Sequence, residues 1–449
     1  MRRRIAIVMI MGLGLSAVGP TAYAHDDGKG NSHPPSLAAQ AHEFANVNAA
    51  KSNAGSNAPK SFAPCIRGMA AKTFPCDRVD MMSHLTLNDL GLSFANDIWG
   101  WTDPRTGAEY AIIGGIEGTV FVDISDPKRP DVVGTLPTHS TEGGQFWRDI
   151  KIYDDHAFIV SEHDDHGMQV FDLTQLRGAN GTPATFAETA HYAGVGGSHN
   201  VNINVDTGFA YIVGSDECDG GLHMVDVHDP THPKVAGCSA ENGYVHDTQC
   251  EIYTGPDTDH QGREICFNSA ATFNDFSPEG IINTVGIVDV TDKSAPVLLS
   301  SFEYPLDGYS HQGWLTPDQE YFLHNDELDE IFYQIPTTTR IFDVRDLDNP
   351  TLTATTDNGE SSIGHNLYTE GDRAYASNYT TGLRIFDTAG VGAGELPEVG
   401  YFDVYPENDN ASFEGGTWSN YPYYDQRVVA VSSIDRGLFV LKPRGKTGS

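Results

Sequence analysis

Histidine followed by an amide or an acid recurs along the chain, at His199-Asn200, His246-Asp247, His311-Gln312 and His365-Asn366. At matching places Asn96-Asp97 and Arg148-Asp149 supply aspartate, and Trp418-Ser419 ends the series. Acidic segments form a second series, SEHDDHG (161–167), SDECDGG (215–221) and HNDELDE (324–330), which adds Glu162, Asp216 and Asp326. Imidazole nitrogens with carboxylate and amide oxygens are the donor set of a divalent cation; the oxygens favour Ca²⁺ or Mn²⁺ and the histidines Zn²⁺. The expected metal set is therefore Asp97, Asp149, Glu162, His199, Asp216, His246, Asp247, His311, Asp326 and His365.

The same pattern also has a purely structural reading. A polar residue at the start of every repeated unit can hydrogen-bond the backbone of the neighbouring unit, and acidic loops are often only solvated turns. Trp99, Trp147, Tyr244, Tyr309 and Trp418 flank these positions, as an aromatic platform for a sugar or extended ligand or as wedges between units. No GxSxG elbow occurs. Glu162-His163-Asp164 would suit general acid–base or metal-assisted hydrolysis, but nothing selects a reaction, and no residue is assigned a catalytic role.

What positions these residues is a hairpin that the chain keeps rewriting. GTVFVDISDPKRPDVVGTL (118–136) returns at 221–238, 285–302 and 339–354, and more loosely from Gly167, Gly382 and Gly437. Apolar alternation ends each time in an aspartate, at Asp123, Asp172, Asp226, Asp289, Asp343 and Asp387, with Lys442 in the seventh slot. Strand-only units recurring at roughly fifty residues mean a blade array. Each unit reads as four antiparallel strands, so the fold expected is all-β: a seven-bladed β-propeller over 95–443. Its last unit has only three strands before the chain stops; a strand at about 81–88 is expected to complete it and close the ring. Alternation of strand direction then puts the unit openings and the acidic loops around one mouth of the central channel.

The N-terminus carries Arg2-Arg3-Arg4, an apolar span from Ile5 to Val18 and Ala22-Tyr23-Ala24, the pattern of a signal peptide over 1–24. Residues 25–64 have the composition of a disordered linker, and 65–94 hold a disulfide loop and the ring-closing strand. An exported chain gives its six cysteines to disulfides, for which proximity suggests Cys65 with Cys76, Cys218 with Cys238 and Cys250 with Cys266. A net charge of −35 repels phosphate backbones and anionic lipid, which argues against nucleic-acid partners. No later apolar run reaches membrane-spanning length, and a monomer is expected.

The segments CIRGMAAKTFPC, NDIWGWTDPRTGAEYAIIGG, YVHDTQCEIYTGP, HQGWLTPDQEYFLHNDELDE and SNYTTGLRIFD resemble the choice-of-anchor B proteins, whose blades are related to LVIVD repeats. The resemblance runs from about Cys65 to Pro443 and implies an exported, surface or secreted propeller. After Pro443 only RGKTGS (444–449) follows, so release into the periplasm or medium is expected in place of surface attachment. The function expected is a binding or interaction module whose polar mouth takes a protein, glycan or small molecule, with or without a divalent metal (Ca²⁺, Mn²⁺ or Zn²⁺). The alternative is a metal-dependent hydrolase of phytase or lactonase type using the same mouth.

Overall fold

Residues 61–142, 147–178, 181–273 and 280–445 are described by a computed structural model. The expected signal peptide and all of the expected linker before residue 61 lie outside the described residues. Seven sheets stand around an axis. Their innermost strands are Ala95–Thr102, Arg148–Tyr153, Asn200–Asn204, Tyr244–Ile252, Ser310–Leu315, Leu367–Glu370 and Thr417–Tyr421, taken as blades 1 to 7. Each inner strand touches the next, and the seventh touches the first, so the ring is closed.

The repeated apolar run explains the packing. In Gly118–Asp123 of blade 1, Val120 and Val122 enter the cluster shared with blade 7, and Phe121 enters the cluster shared with blade 2. Alternate side chains of one strand thus glue opposite neighbours, which is why both faces of the strand are apolar. Burial of each such side chain stabilises by roughly 1.5–3 kcal/mol.

The repeated aspartate turns the corner between the third and fourth strands. Asp123, Asp172, Asp226, Asp289, Asp343 and Asp387 each accept a hydrogen bond from the backbone N–H two residues on, at 2.8–3.0 Å. Such Asx turns need a carboxylate or amide at that spot. Lys442 can replace it in blade 7 because the third strand there, Gly437–Pro443, leads into no hairpin.

The strand that completes blade 7 is Val79–Leu85, antiparallel to Gly437–Pro443. It starts two residues before the expected segment and stops at Leu85 because Thr86 caps a short helix, Leu87–Leu90, in a capping box with Asp89. The preceding strand Phe74–Asp77 adds to the outer edge of blade 6, and Cys65–Cys76 ties the two pieces of this arm together. Cys218–Cys238 lies within blade 3 and Cys250–Cys266 within blade 4, so all three expected pairs form. A chain lacking residues 61–85 would expose the edge of Gly437–Pro443 and the cluster around Phe74, Met81 and Phe439. It is expected to lose its single cooperative thermal transition by calorimetry; a normal transition would show that this arm does not close the ring.

Candidate functional site

Six blades bring a ring from at or just before the start of the inner strand to one mouth. Ring centroids run His199 to His246 at 4.2 Å, His246 to His311 at 4.3 Å and His311 to His365 at 4.2 Å. The circuit continues from His365 to Trp418 at 4.5 Å and from Trp418 to Trp147 at 4.3 Å. Blade 1 adds no ring at this level; its Ala95 is buried in the cluster shared with blade 7, and Phe94 packs on Trp147 at 5.5 Å. In blades 4, 5 and 7 the strand register slips where His246, His311 and Trp418 sit, a bulge that turns the side chain out of the sheet.

The hydrogen bonds fix which nitrogen faces inward. His246 Nδ1 lies 2.8 Å from the backbone oxygen of His311, and His365 Nδ1 lies 2.5 Å from that of Trp418. A carbonyl only accepts, so Nδ1 carries the hydrogen in both rings. Burial holds His246 and His311 well below the usual histidine range and His365 down to about 3, so these rings are neutral. Nε2 of His246 and of His365 therefore keeps a lone pair.

His199 differs. Burial works against its charge, but Glu162, 2.5 Å from Nδ1, raises it above the ordinary range. The pair is a held imidazolium and carboxylate; in this charged form both ring nitrogens carry hydrogen and neither offers a lone pair to a cation.

Glu327 supplies the acid that composition did not single out. It follows the strand Tyr321–Asp326, its N–H is fixed on the oxygen of Tyr309 at 3.0 Å, and Tyr379 donates to its Oε1 at 2.7 Å. His365 Nε2 stands 3.7 Å from the same oxygen, and burial pushes the carboxyl up to about 7. One ligand atom each from His246, His311 and Glu327 lies within 4.8 Å of the others. Two apolar clusters surround the ring, one with Trp147, Tyr379, Trp418 and Ile434, the other with Tyr309 and Leu328; Phe413 packs against both.

Not every expected residue joins this group. Asp326 turns into the blade wall, 3.0 Å from Arg340 and bonded to Tyr304 at 2.8 Å. Asp216 bonds the N–H of Gly196 at 2.9 Å. Asp97 and Asp149 serve the neighbouring blades: Asp97 accepts from Ile150 N at 3.2 Å, Asp149 from Val201 N at 2.8 Å. Asn202, Gln249 and Gln312 repeat the same bond at the next three junctions, at 3.1, 2.7 and 2.9 Å. The backbone-clamping role of polar inner-strand residues is thus real for this set.

Asp97, Asp149 and Asp247 nevertheless form a second level along the axis with Lys151. Lys151 Nζ is 2.6 Å from Asp149 and 4.0 Å from Asp97, and lies 4.4 Å from the ring centre of Trp99. Burial and then Asp149 raise Asp97 well above the carboxylate range, and burial carries Asp247 up to about 7. Trp99 belongs to this level with Tyr368 and Tyr421, at 5.5 and 5.1 Å, so it is separated from the ring that holds Trp147 and Trp418. Tyr244 and Tyr309 stand with the histidines: Tyr309 lies 5.1 Å from His246.

A further buried histidine gives a pH signature. His166 lies 3.1 Å from Arg148 Nη1, and burial, then Arg148, lowers it to about 3. The unfolded chain protonates near 6.5 and the folded chain does not, so stability is complete above about 6.5 and falls as pH drops towards 3. His166→Gln is expected to flatten the stability–pH slope by up to about 1.4 kcal/mol per unit in that window, read from urea midpoints. An unchanged slope would contradict the assignment.

A model of the LVIVD repeat matches residues 197–239 and 282–303, which are blade 3 and the outer half of blade 4. These matches fit a seven-bladed propeller built on LVIVD repeats. Comparison with curated proteins gives no match.

Proposed function

We propose that the protein is an exported binding or interaction module that holds a transition-metal ion of the Zn²⁺ type at the axial mouth. The observation that carries this reading is the convergence of His246, His311 and Glu327, with His365 beside them. Neutral imidazoles with lone pairs turned inward and one carboxylate suit Zn²⁺ better than Ca²⁺, which prefers six or more oxygens. His246, His311 and Glu327 would be the ligands, with His365 as a fourth. A metal there would polarise a bound oxygen or close a structural site.

The hydrolase reading needs an open coordination position reached by substrate. The apolar packing of Phe413, Tyr379 and Trp418 around the ring supports a module over a hydrolase. Three disulfides fit an oxidising compartment, in keeping with the N-terminal pattern and with the resemblance to choice-of-anchor B proteins. Among the described residues no helix is long and apolar enough to cross a membrane.

Thermal melting separates these cases. Metal-free protein is expected to melt several degrees higher once Zn²⁺ is added well above its Kd, since about 100-fold excess stabilises by about 2.7 kcal/mol, and EDTA should reverse the gain. Identical melting with Zn²⁺ and with EDTA would refute the metal. If Zn²⁺ stabilises, hydrolysis of phosphate esters and lactones by the replete protein would favour the alternative.

A further inference from the structure

We infer a second divalent-cation site on the opposite face of the ring, between blades 4 and 5, formed by Asp257, His260 and Asp348. Asp257 and His260 lie in the hairpin between Tyr244–Ile252 and Glu264–Phe273, and Asp348 on the corner between Thr338–Asp343 and Thr351–Asp357. Those turns join strands one to two and three to four, so alternation places them at the end of the channel away from the histidine ring.

One ligand atom from each residue falls within 4.8 Å of the other two. His260 is only 9% exposed and turns Nε2 towards Asp348 Oδ2 at 3.3 Å. That is long for N–H···O, whose usual distance is about 2.9–3.0 Å. It matches the edge of a tetrahedral zinc site, where bonds of about 2.0–2.1 Å put neighbouring ligand atoms about 3.3–3.4 Å apart. Against a carboxylate, which only accepts, Nε2 carries the ring hydrogen; a cation would take its place, the hydrogen passing to the buried Nδ1, which takes no other hydrogen bond.

Asp257 is already oriented. Its Oδ1 accepts from Asp259 N at 3.2 Å, and its Oδ2 from Leu347 N at 2.9 Å, which brings the blade 5 corner against the blade 4 hairpin. Carboxylate oxygens retain further lone pairs after one such bond. Two carboxylates and a neutral imidazole balance a divalent charge, and the donor set suits Zn²⁺ or Mn²⁺. A cation there would add a staple between two blades that already meet through side-chain packing and through hydrogen bonds such as those of Gln249 to Leu315 N and of Ser300 to the oxygen of Leu347.

The site is independent of the axial one and is tested with the axial ligands removed. Full-length His246→Ala/His311→Ala protein, equilibrated with Zn²⁺ and passed through a desalting column, is expected to retain one zinc per chain by elemental analysis. Adding Asp348→Ala should weaken that binding at least tenfold in calorimetric titration, with the far-ultraviolet circular dichroism unchanged, because the Asp348 side chain is 55% exposed. If the axial double variant does not fold, Asp348→Ala alone in the natural background should lower the zinc content by one. Zinc content and affinity untouched by Asp348→Ala and by His260→Gln would overturn the site. So would an axial variant that folds and holds no zinc.

Discussion

Replacing Arg340 by methionine is expected to destabilise the protein by about 3–5 kcal/mol and to weaken metal binding at a residue that Arg340 does not touch. The guanidinium is 1% exposed and lies 3.0 Å from both Asp326 and Asp329, themselves fully buried. It also donates to the backbone oxygen of Leu306 and covers the ring of Tyr304 at 4.9 Å. Burial already carries Asp326 up to about 7 even with Arg340 beside it. Without the arginine, two carboxylates would share a dry pocket with no cation, and folding would have to neutralise them. The urea midpoint should fall with little change in the slope, and the loss should shrink at acidic pH, where both acids protonate readily. Glu327 follows Asp326 directly, so Zn²⁺ affinity should drop with stability. A variant as stable as the natural protein would mean that Arg340 does not hold this loop.

His246→Ala combined with His311→Ala is expected to lower axial Zn²⁺ affinity on the order of 100-fold or more, about 2.7 kcal/mol, while the propeller still folds. His246 also donates Nδ1–H to the oxygen of His311, so its truncation strips one interblade bond worth about 1 kcal/mol. His246→Asn separates the two roles, since the amide can still donate to that carbonyl but lacks the inward imidazole nitrogen. Stability close to natural with metal affinity lost identifies a ligand; stability lost with affinity kept identifies a blade clamp. Calorimetric titration and urea unfolding on the same samples read both.

Much of this architecture was visible along the chain because the propeller writes its rules into every unit. The aspartate at the end of each apolar run marks the Asx turn, and its absence at Lys442 marks the unit without a following hairpin. The spacing of His199, His246, His311 and His365 foretold their meeting, since homologous positions in a closed ring must converge. Glu327 was missed for a local reason: it adjoins Asp326, and consecutive residues leaving a strand point in opposite directions, so sequence could not tell which acid faced the axis. Tyr379, which donates to Glu327, lies in the segment SNYTTG, where a phenol in a polar loop gives no sign of its partner. Trp147 precedes Arg148-Asp149, whereas Trp99 follows Asp97 by two, the offset of Lys151 from Asp149, so Trp99 stands at the level of Lys151. The addition of Phe74–Asp77 to blade 6 is a tertiary choice made by an edge strand, with no local signature.

The most direct measurement is anomalous diffraction at the zinc edge from crystals of protein grown with Zn²⁺. A peak within bonding distance of His246, His311 and Glu327 is the result expected at the axis. Ordered density for those three side chains with no anomalous peak among them, at saturating Zn²⁺, would contradict the metal centre.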